Sequence, residues 1–158
     1  MILKHVALGL VSGISFSLIS WMIGIIFNGL FSNTRFYNRF SNLNFIEDRM
    51  MNKYLGISQF KWIVKHTFLK IFNQKIKINN RSTNLEEIRK EMTLAEVSHL
   101  VGFLFVILFS IYYCVKVSIF YGMTMMIPNV FLNLYPSLLQ QENKRRIDKL
   151  IKRRLFAS

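Results

Sequence analysis

Glu96 and His99 lie three residues apart, the spacing at which two side chains on one helix touch. A carboxylate beside an imidazole raises its basicity and holds one tautomer, as in a general base with an orienting partner. The same pair suits a plainer role, an interfacial couple that anchors a helix end. Further along, Asn133, Gln140 and Asn143 offer amides able to donate to a carbonyl oxygen or a sugar hydroxyl. Beside them Lys144, Arg145 and Arg146 could hold a phosphorylated or thioester-carrying group. The competing readings are a helix-packing hydrogen bond for Asn133 and a stop-transfer signal for the basic residues. The latter fits Lys149 through Arg154 better than the Asn143–Arg146 cluster. No other site chemistry emerges: His5, His66 and His99 are far apart, and no His/Cys/Asp set has metal-ligand spacing. The single Cys114 has no intrachain partner, and there is no phosphate-binding Gly-rich loop or nucleophile elbow. Neither a metal nor a cofactor is expected.

The elements that must carry these residues are set by hydrophobicity. The chain has 158 residues, 52% hydrophobic, and its apolar residues are concentrated in blocks. Val6–Phe31 runs 26 residues without a charge, Val117–Leu139 runs 23, and Val97–Val115 runs 19 with only His99 interrupting. About 20 apolar residues at 1.5 Å per residue cross a hydrocarbon core of roughly 30 Å, so each run is long enough to span. The expected fold is an all-α integral membrane protein, a single domain over 1–158. Its three transmembrane helices lie at about 6–31, 97–115 and 117–139. The first run is too long for a signal-peptide core and lacks a small-x-small cleavage site, so it reads as a retained span. Its Gly9, Gly13 and Ser17, continued by Ser20 and Gly24, form a small-residue stripe that could admit another helix, including one from an oligomeric partner.

Charge sets the expected topology. Twenty-one Lys/Arg against eight Asp/Glu give a net charge of +13. Residues 32–99 contribute +6 and the tail 141–158 contributes +5. Basic residues accumulate on the cytoplasmic side. Two spans between the blocks therefore place both inside, with the N-terminus outside and Lys116 at the tip of a tight outer hairpin that lacks Gly or Pro. Without those residues the pair could also be re-entrant or strongly tilted. Topology and anionic lipid account for the basic charge, so no nucleic-acid partner is expected. Within the cytoplasmic segment, Phe60, Ile63, Val64, Phe68, Ile71 and Phe72 mark one face of an amphipathic helix, either interfacial or packed on the protein's own surface. Phe36, Tyr37, Phe40, Phe45 and Trp62 are interfacial in type, and Asn79–Ser82 is the clearest break. Thr83-Asn84-Leu85-Glu86 fits a capping box that starts the helix carrying Arg89, Met92, Glu96, His99 and Phe103 on one stripe. An antiparallel return of the third span then brings Asn133 and the 140–146 cluster back to the membrane face that holds Glu96 and His99.

At these residues the chain resembles the glycosyl-4,4′-diaponeurosporenoate acyltransferases, small bacterial membrane proteins linked to the final acylation of glycosylated carotenoids. The resemblance runs from about residue 60 onward and rests on two signatures. Glu91-x-x-x-Ala95-Glu96-x-x-His99 keeps the two acids, the Ala and the His, with Met92 and Leu94 where the family has Thr and Arg. Asn133-x(6)-Gln140-x-x-Asn143-Lys144-x-Arg146 keeps the Asn, Gln, second Asn and last Arg, with Lys144 for an Arg and the proline displaced to Pro136. Lys61-Trp62 adds a weaker match. The resemblance implies a bacterial cytoplasmic-membrane acyltransferase that moves a fatty acyl group onto a hydroxyl of a glycosylated lipid or carotenoid. In that reading His99 is the base and Glu96 its orienting partner. Glu91, Asn133, Gln140 and Asn143 contact substrate, while Lys144 and Arg146 meet a negatively charged donor, such as an acyl thioester. Its partners are membrane lipids, a lipid-like acceptor and the acyl donor. The alternative from another class is a non-catalytic small membrane subunit or scaffold, whose polar residues serve helix packing.

Overall fold

The computed structural model describes residues 1–45, 54–66 and 84–156, and among these the chain is helical, with no strand. Helix α1 spans Ile2–Phe31, and short α2, Arg35–Asn38, continues into a 3-10 turn over Arg39–Asn42. Helix α3 is Ile57–His66, α4 is Leu85–Lys116 and α5 is Ile119–Asn129. A π turn, Val130–Leu134, joins α5 to α6, Tyr135–Phe156. Helices α1 and α4, of 30 and 32 residues, are each long and apolar enough to cross a membrane. Their outward faces carry exposed Val11, Leu18 and Ile25 on α1 and Leu104, Leu108 and Ile111 on α4. The inward face of α1 is Gly and Ser, and that of α4 mixes Glu96, Gly102 and Ser110 with Val97 and Val106. That inversion of a water-soluble helix suits a hydrocarbon solvent and supports a membrane protein.

The third expected span is not a single α-helix. Residues 117–139 comprise α5, the π turn and the first residues of α6, and among the described residues only α1 and α4 meet the length and hydropathy of a span by themselves. Two prolines bracket the break, Pro128 inside α5 and Pro136 at the start of α6. A proline has no N–H and crowds the carbonyl four residues back, so a regular turn is disfavoured there. The backbone widens instead, with Tyr135 N–H bonding the Val130 carbonyl five residues earlier.

The tight hairpin forms as expected between α4 and α5. Val117 and Ser118 make the turn, both of their N–H groups donating to the Tyr113 carbonyl. The Ser118 side chain caps α5 by accepting from Tyr121 N–H. Close approach of the two helices is licensed by Gly122, where a Cβ would sit 2.4 Å from the Ser110 carbonyl oxygen. The small-residue stripe on α1 is buried by the chain's own helices. Gly13 lies against the Met125 backbone of α5 and Gly24 against the Ser98 backbone of α4. An oligomer contact was an expectation for this stripe, but α4 and α5 fill that face within the chain.

Two local signals shift. The cap of α4 is Asn84, whose side chain accepts from Glu86 and Glu87 N–H, one residue later than the Thr83 cap expected. Thr83 itself and Asn79–Ser82 lie outside the described residues. The amphipathic helix packs on the protein through Ile57, Phe60 and Val64 against Leu138 and Leu139, leaving Trp62 and Ile63 exposed. Phe68, Ile71 and Phe72 of the expected face lie outside the described residues.

Candidate functional site

The inner face of the α5–α6 arm is a polar stripe. Asn129, Asn133, Ser137, Gln141 and Lys144 recur at intervals of four, four, four and three, and all five are buried. Facing them on α4 are Arg89, Glu96 and His99 at matching helical intervals. The antiparallel arrangement aligns the two rows. Asp148 accepts from Arg89 at 2.6 Å, Lys144 pairs with Glu96, and Asn133 lies beside His99. A seam of polar groups therefore runs between helices whose outer faces are apolar.

At its upper end Asn133 sits in the π turn with no exposed surface. Its Nδ2 donates to Asn129 Oδ1 at 2.9 Å and to Ser20 Oγ at 3.1 Å, and its Oδ1 accepts from Trp21 Nε1 at 3.1 Å. Trp21 also meets the His99 ring edge to face, with centroids 6.0 Å apart. Gly102, one turn past His99, is required here, because a Cβ would come within 2.7 Å of Ser20 Oγ and 3.1 Å of Asn133 Oδ1. Trp21 and Asn133 thus wall the imidazole, whose Nδ1 is buried and makes no hydrogen bond.

Below it, Glu96 is fully buried and ion-paired with Lys144, with the Gln141 amide beside the carboxylate. Lys144 Nζ also donates to the Ser41 carbonyl at 3.0 Å. The expected Glu96–His99 couple is therefore replaced by a Glu96–Lys144 pair. A cation close by outcompetes a neutral ring for a desolvated carboxylate. The segment after α1 straps this end of the seam. Arg89 binds Ser41 Oγ at 2.7 Å and Asn42 Oδ1 at 2.9 Å, and Gln141 Oε1 accepts from Phe45 N–H at 2.9 Å. Tyr37, expected at the interface, is buried and donates to Asn28 Oδ1 at 2.7 Å. Burial, followed by the nearby Glu96 charge, pushes its phenol up to about 12. Between this strap, α4 and α6 lies a cleft of about 470 Å³, lined by Tyr37, Ser41, Arg89, Lys90, Thr93 and Asp148 among others.

The other sequence-derived candidates stand at the edge of this arrangement. Glu91 is exposed on the outer side of α4, and Gln140 and Asn143 are half-buried. Arg146 is exposed and paired with Glu142 on its own helix. Among the described residues no group of His, Cys, Asp and Glu could hold a metal ion.

A family model for glycosyl-4,4′-diaponeurosporenoate acyltransferase matches residues 32–153, from the strap to the last turns of α6. The chain belongs to that family. No curated protein and no solved structure matches it. Family membership supports an acyltransferase role in carotenoid-type lipid modification. The matched stretch contains every candidate taken from the sequence but leaves out α1, which supplies Ser20, Trp21 and Asn28 to the seam. Ser137 and Gln141 were also missed, although a signal for them existed. Counting four and eight residues on from Asn133 gives both, whereas choosing amides by type gave Gln140 and Asn143, off the buried stripe.

Proposed function

We propose that the protein is a membrane-embedded O-acyltransferase, moving a fatty acyl group from an activated ester or thioester onto a hydroxyl of a glycosylated lipid or carotenoid. The observation that carries this reading is His99, walled by Trp21 and Asn133 within a buried polar seam of an acyltransferase-family chain. His99 accepts the proton of the acceptor hydroxyl as its oxygen bonds to the acyl carbon. The imidazolium then returns that proton to the departing alkoxide or thiolate, so no net proton is consumed. Asn133 and Trp21 hold the ring, and the Glu96–Lys144 pair fixes α6 against α4 at this level. In this reading half-buried Gln140 and Asn143 meet acceptor hydroxyls, and exposed Arg146 and Glu91 meet polar parts of donor and acceptor at the rim. Three crossings of the bacterial cytoplasmic membrane, with the N-terminus outside, fit the +6 and +5 basic blocks. On that topology His99 lies near the cytoplasmic surface, where acyl donors are made.

The test is His99→Ala, with membrane abundance and acylated product measured together. Loss of a general base predicts a fall in kcat of about 10²–10⁴ at unchanged abundance. Unchanged acylation would remove His99 from the mechanism. Lost abundance with no acyl transfer by the wild-type chain, across lipid and pigment profiling of a deletion strain, would favour the non-catalytic scaffold.

A further inference from the structure

A carboxamide has two N–H donors and one carbonyl oxygen with two lone pairs, so the partners of Asn133 decide what it presents to His99. Both of its protons are spent. Nδ2 donates to Asn129 Oδ1 at 2.9 Å and to Ser20 Oγ at 3.1 Å. Neither partner is free to reverse its role. Ser20 gives its own proton to the Ser17 carbonyl at 2.7 Å, and Asn129 Nδ2 donates to the Phe103 carbonyl at 3.2 Å. Those carbonyls, one on α1 and one on α4, accept and cannot donate. On the other side of the amide, Trp21 Nε1, a donor with no acceptor capacity, gives its proton to Asn133 Oδ1 at 3.1 Å. A flipped amide would set its oxygen against Asn129 Oδ1 and its N–H groups against the indole N–H, losing bonds on both sides. The direction of every bond is thus fixed from the ends of the network inward.

One lone pair remains on Oδ1, and three observations place it at the imidazole. A Cβ on Gly102, one turn past His99, would lie 3.1 Å from this oxygen. The indole bonded to it meets the His99 ring edge to face, with centroids 6.0 Å apart. The His99 side chain also hydrogen-bonds that of Asn133. With no proton left on Nδ2, Asn133 can only accept in this bond. The ring nitrogen turned toward it must carry the hydrogen, and in a neutral imidazole the other nitrogen then holds the free lone pair. Asn133, expected from its type to donate to a substrate oxygen, has no donor left for that task.

We infer that Asn133 is the acceptor that sets the tautomer of His99, and that Asn129 and Trp21 are positioning residues acting on the base through it. Asn129 is fully buried at the end of α5, ahead of the second signature, and Trp21 lies on α1, outside the family-matched stretch. The kinetic consequence of this arrangement rests on the acyltransferase reading. The tautomer does not, since hydrogen bonds alone set it.

The test starts with a readout independent of turnover. The full chain in phospholipid nanodiscs, with His5→Gln and His66→Gln so that His99 is the single histidine, is labelled with ¹⁵N in the imidazole and followed by NMR. The wild-type site should show one dominant neutral tautomer. Asn133→Leu, which keeps the side chain's shape without its oxygen, should populate both. Asn133→Ser, too short to reach the ring, serves if the leucine variant does not accumulate. Trp21→Phe/Asn129→Leu, which keeps Asn133 but frees its amide to turn, should also populate both. Ser20→Ala, which leaves the indole and Asn129 holding the amide, should keep the tautomer. In acyl-transfer assays Trp21→Phe/Asn129→Leu should lower kcat about 2- to 12-fold, the worth of one neutral hydrogen bond, with KM unchanged. Two equally populated tautomers in the wild type overturn the inference whatever the variants do. So does an unmoved tautomer in the Asn133 variants, or a release by Ser20→Ala as complete as that of the double variant, which would mean general loosening. Absence of acyl transfer in the wild type, with the tautomer effect intact, would count against the acyltransferase reading alone.

Discussion

Replacing Lys144 with Met removes one half of a desolvated ion pair and probes the seam directly. Glu96 has no exposed surface and Lys144 is 3% exposed, so neither charge has bulk water to fall back on. Met matches the lysine stem in length, so packing changes little and the loss is electrostatic. Removing one partner of a buried pair costs about 3–5 kcal/mol, because the remaining ion stays desolvated and unpaired. The bond from Lys144 to the Ser41 carbonyl adds about 1 kcal/mol. The unfolding equilibrium should therefore shift by roughly three to four powers of ten. Reversible unfolding in mixed micelles, followed by Trp21 fluorescence in a Trp62→Phe background, measures this. Glu96→Gln should cost less, since a neutral amide can still accept from the ammonium. The double variant Glu96→Leu/Lys144→Met should recover about 3–5 kcal/mol relative to Lys144→Met, because no buried charge is left alone. A cost below about 1 kcal/mol for Lys144→Met, with no recovery in the double variant, would mean that water reaches the pair, and the reasoning would fail.

Gly13→Val should destabilise the α1–α5 contact by about 1–3 kcal/mol or more, since a Cβ there would lie 2.6 Å from the Met125 carbonyl oxygen; the same unfolding assay reads it. Tyr37, with its phenol raised to about 12 in the folded chain, gives stability that is fully present below pH 10 and lost as pH rises toward 12. Titration of tyrosinate absorbance should show one late-ionising phenol that disappears in Tyr37→Phe, and an unchanged titration would contradict the burial. In a Cys114→Ser background, a cysteine at Ser58 should label only from the cytoplasmic side and one at Lys116 only from outside. Labelling of Lys116→Cys from inside alone would make the α4–α5 hairpin re-entrant.

Much of this molecule follows from sequence-local physics. Uncharged runs of 19 to 26 residues dictate membrane-compatible helices, since backbone polar groups in hydrocarbon must bond within their own segment. Acids and a capping side chain start α4, and the apolar run at 117–139 supplies the return that brings both signatures to one end. His99, Glu96, Asn133 and Lys144 stood out in the sequence as candidates because ionisable groups and amides in apolar runs are costly and therefore few. Tertiary structure alone decided which of these groups meet. Glu96 and His99 are neighbours on one helix, but the partner of a buried carboxylate is the nearest cation in space, and antiparallel packing delivers Lys144 from 48 residues away. Trp21 belongs to no local pattern with His99; only the glycine and serine stripe of α1, seated on α4 and α5, carries it to the ring. The phase of the α6 stripe was likewise set by packing. Counting in fours from Asn133 reaches Ser137 and Gln141, but only the packing of α6 on α4 shows that this phase faces inward while Gln140 and Asn143 stand at the rim.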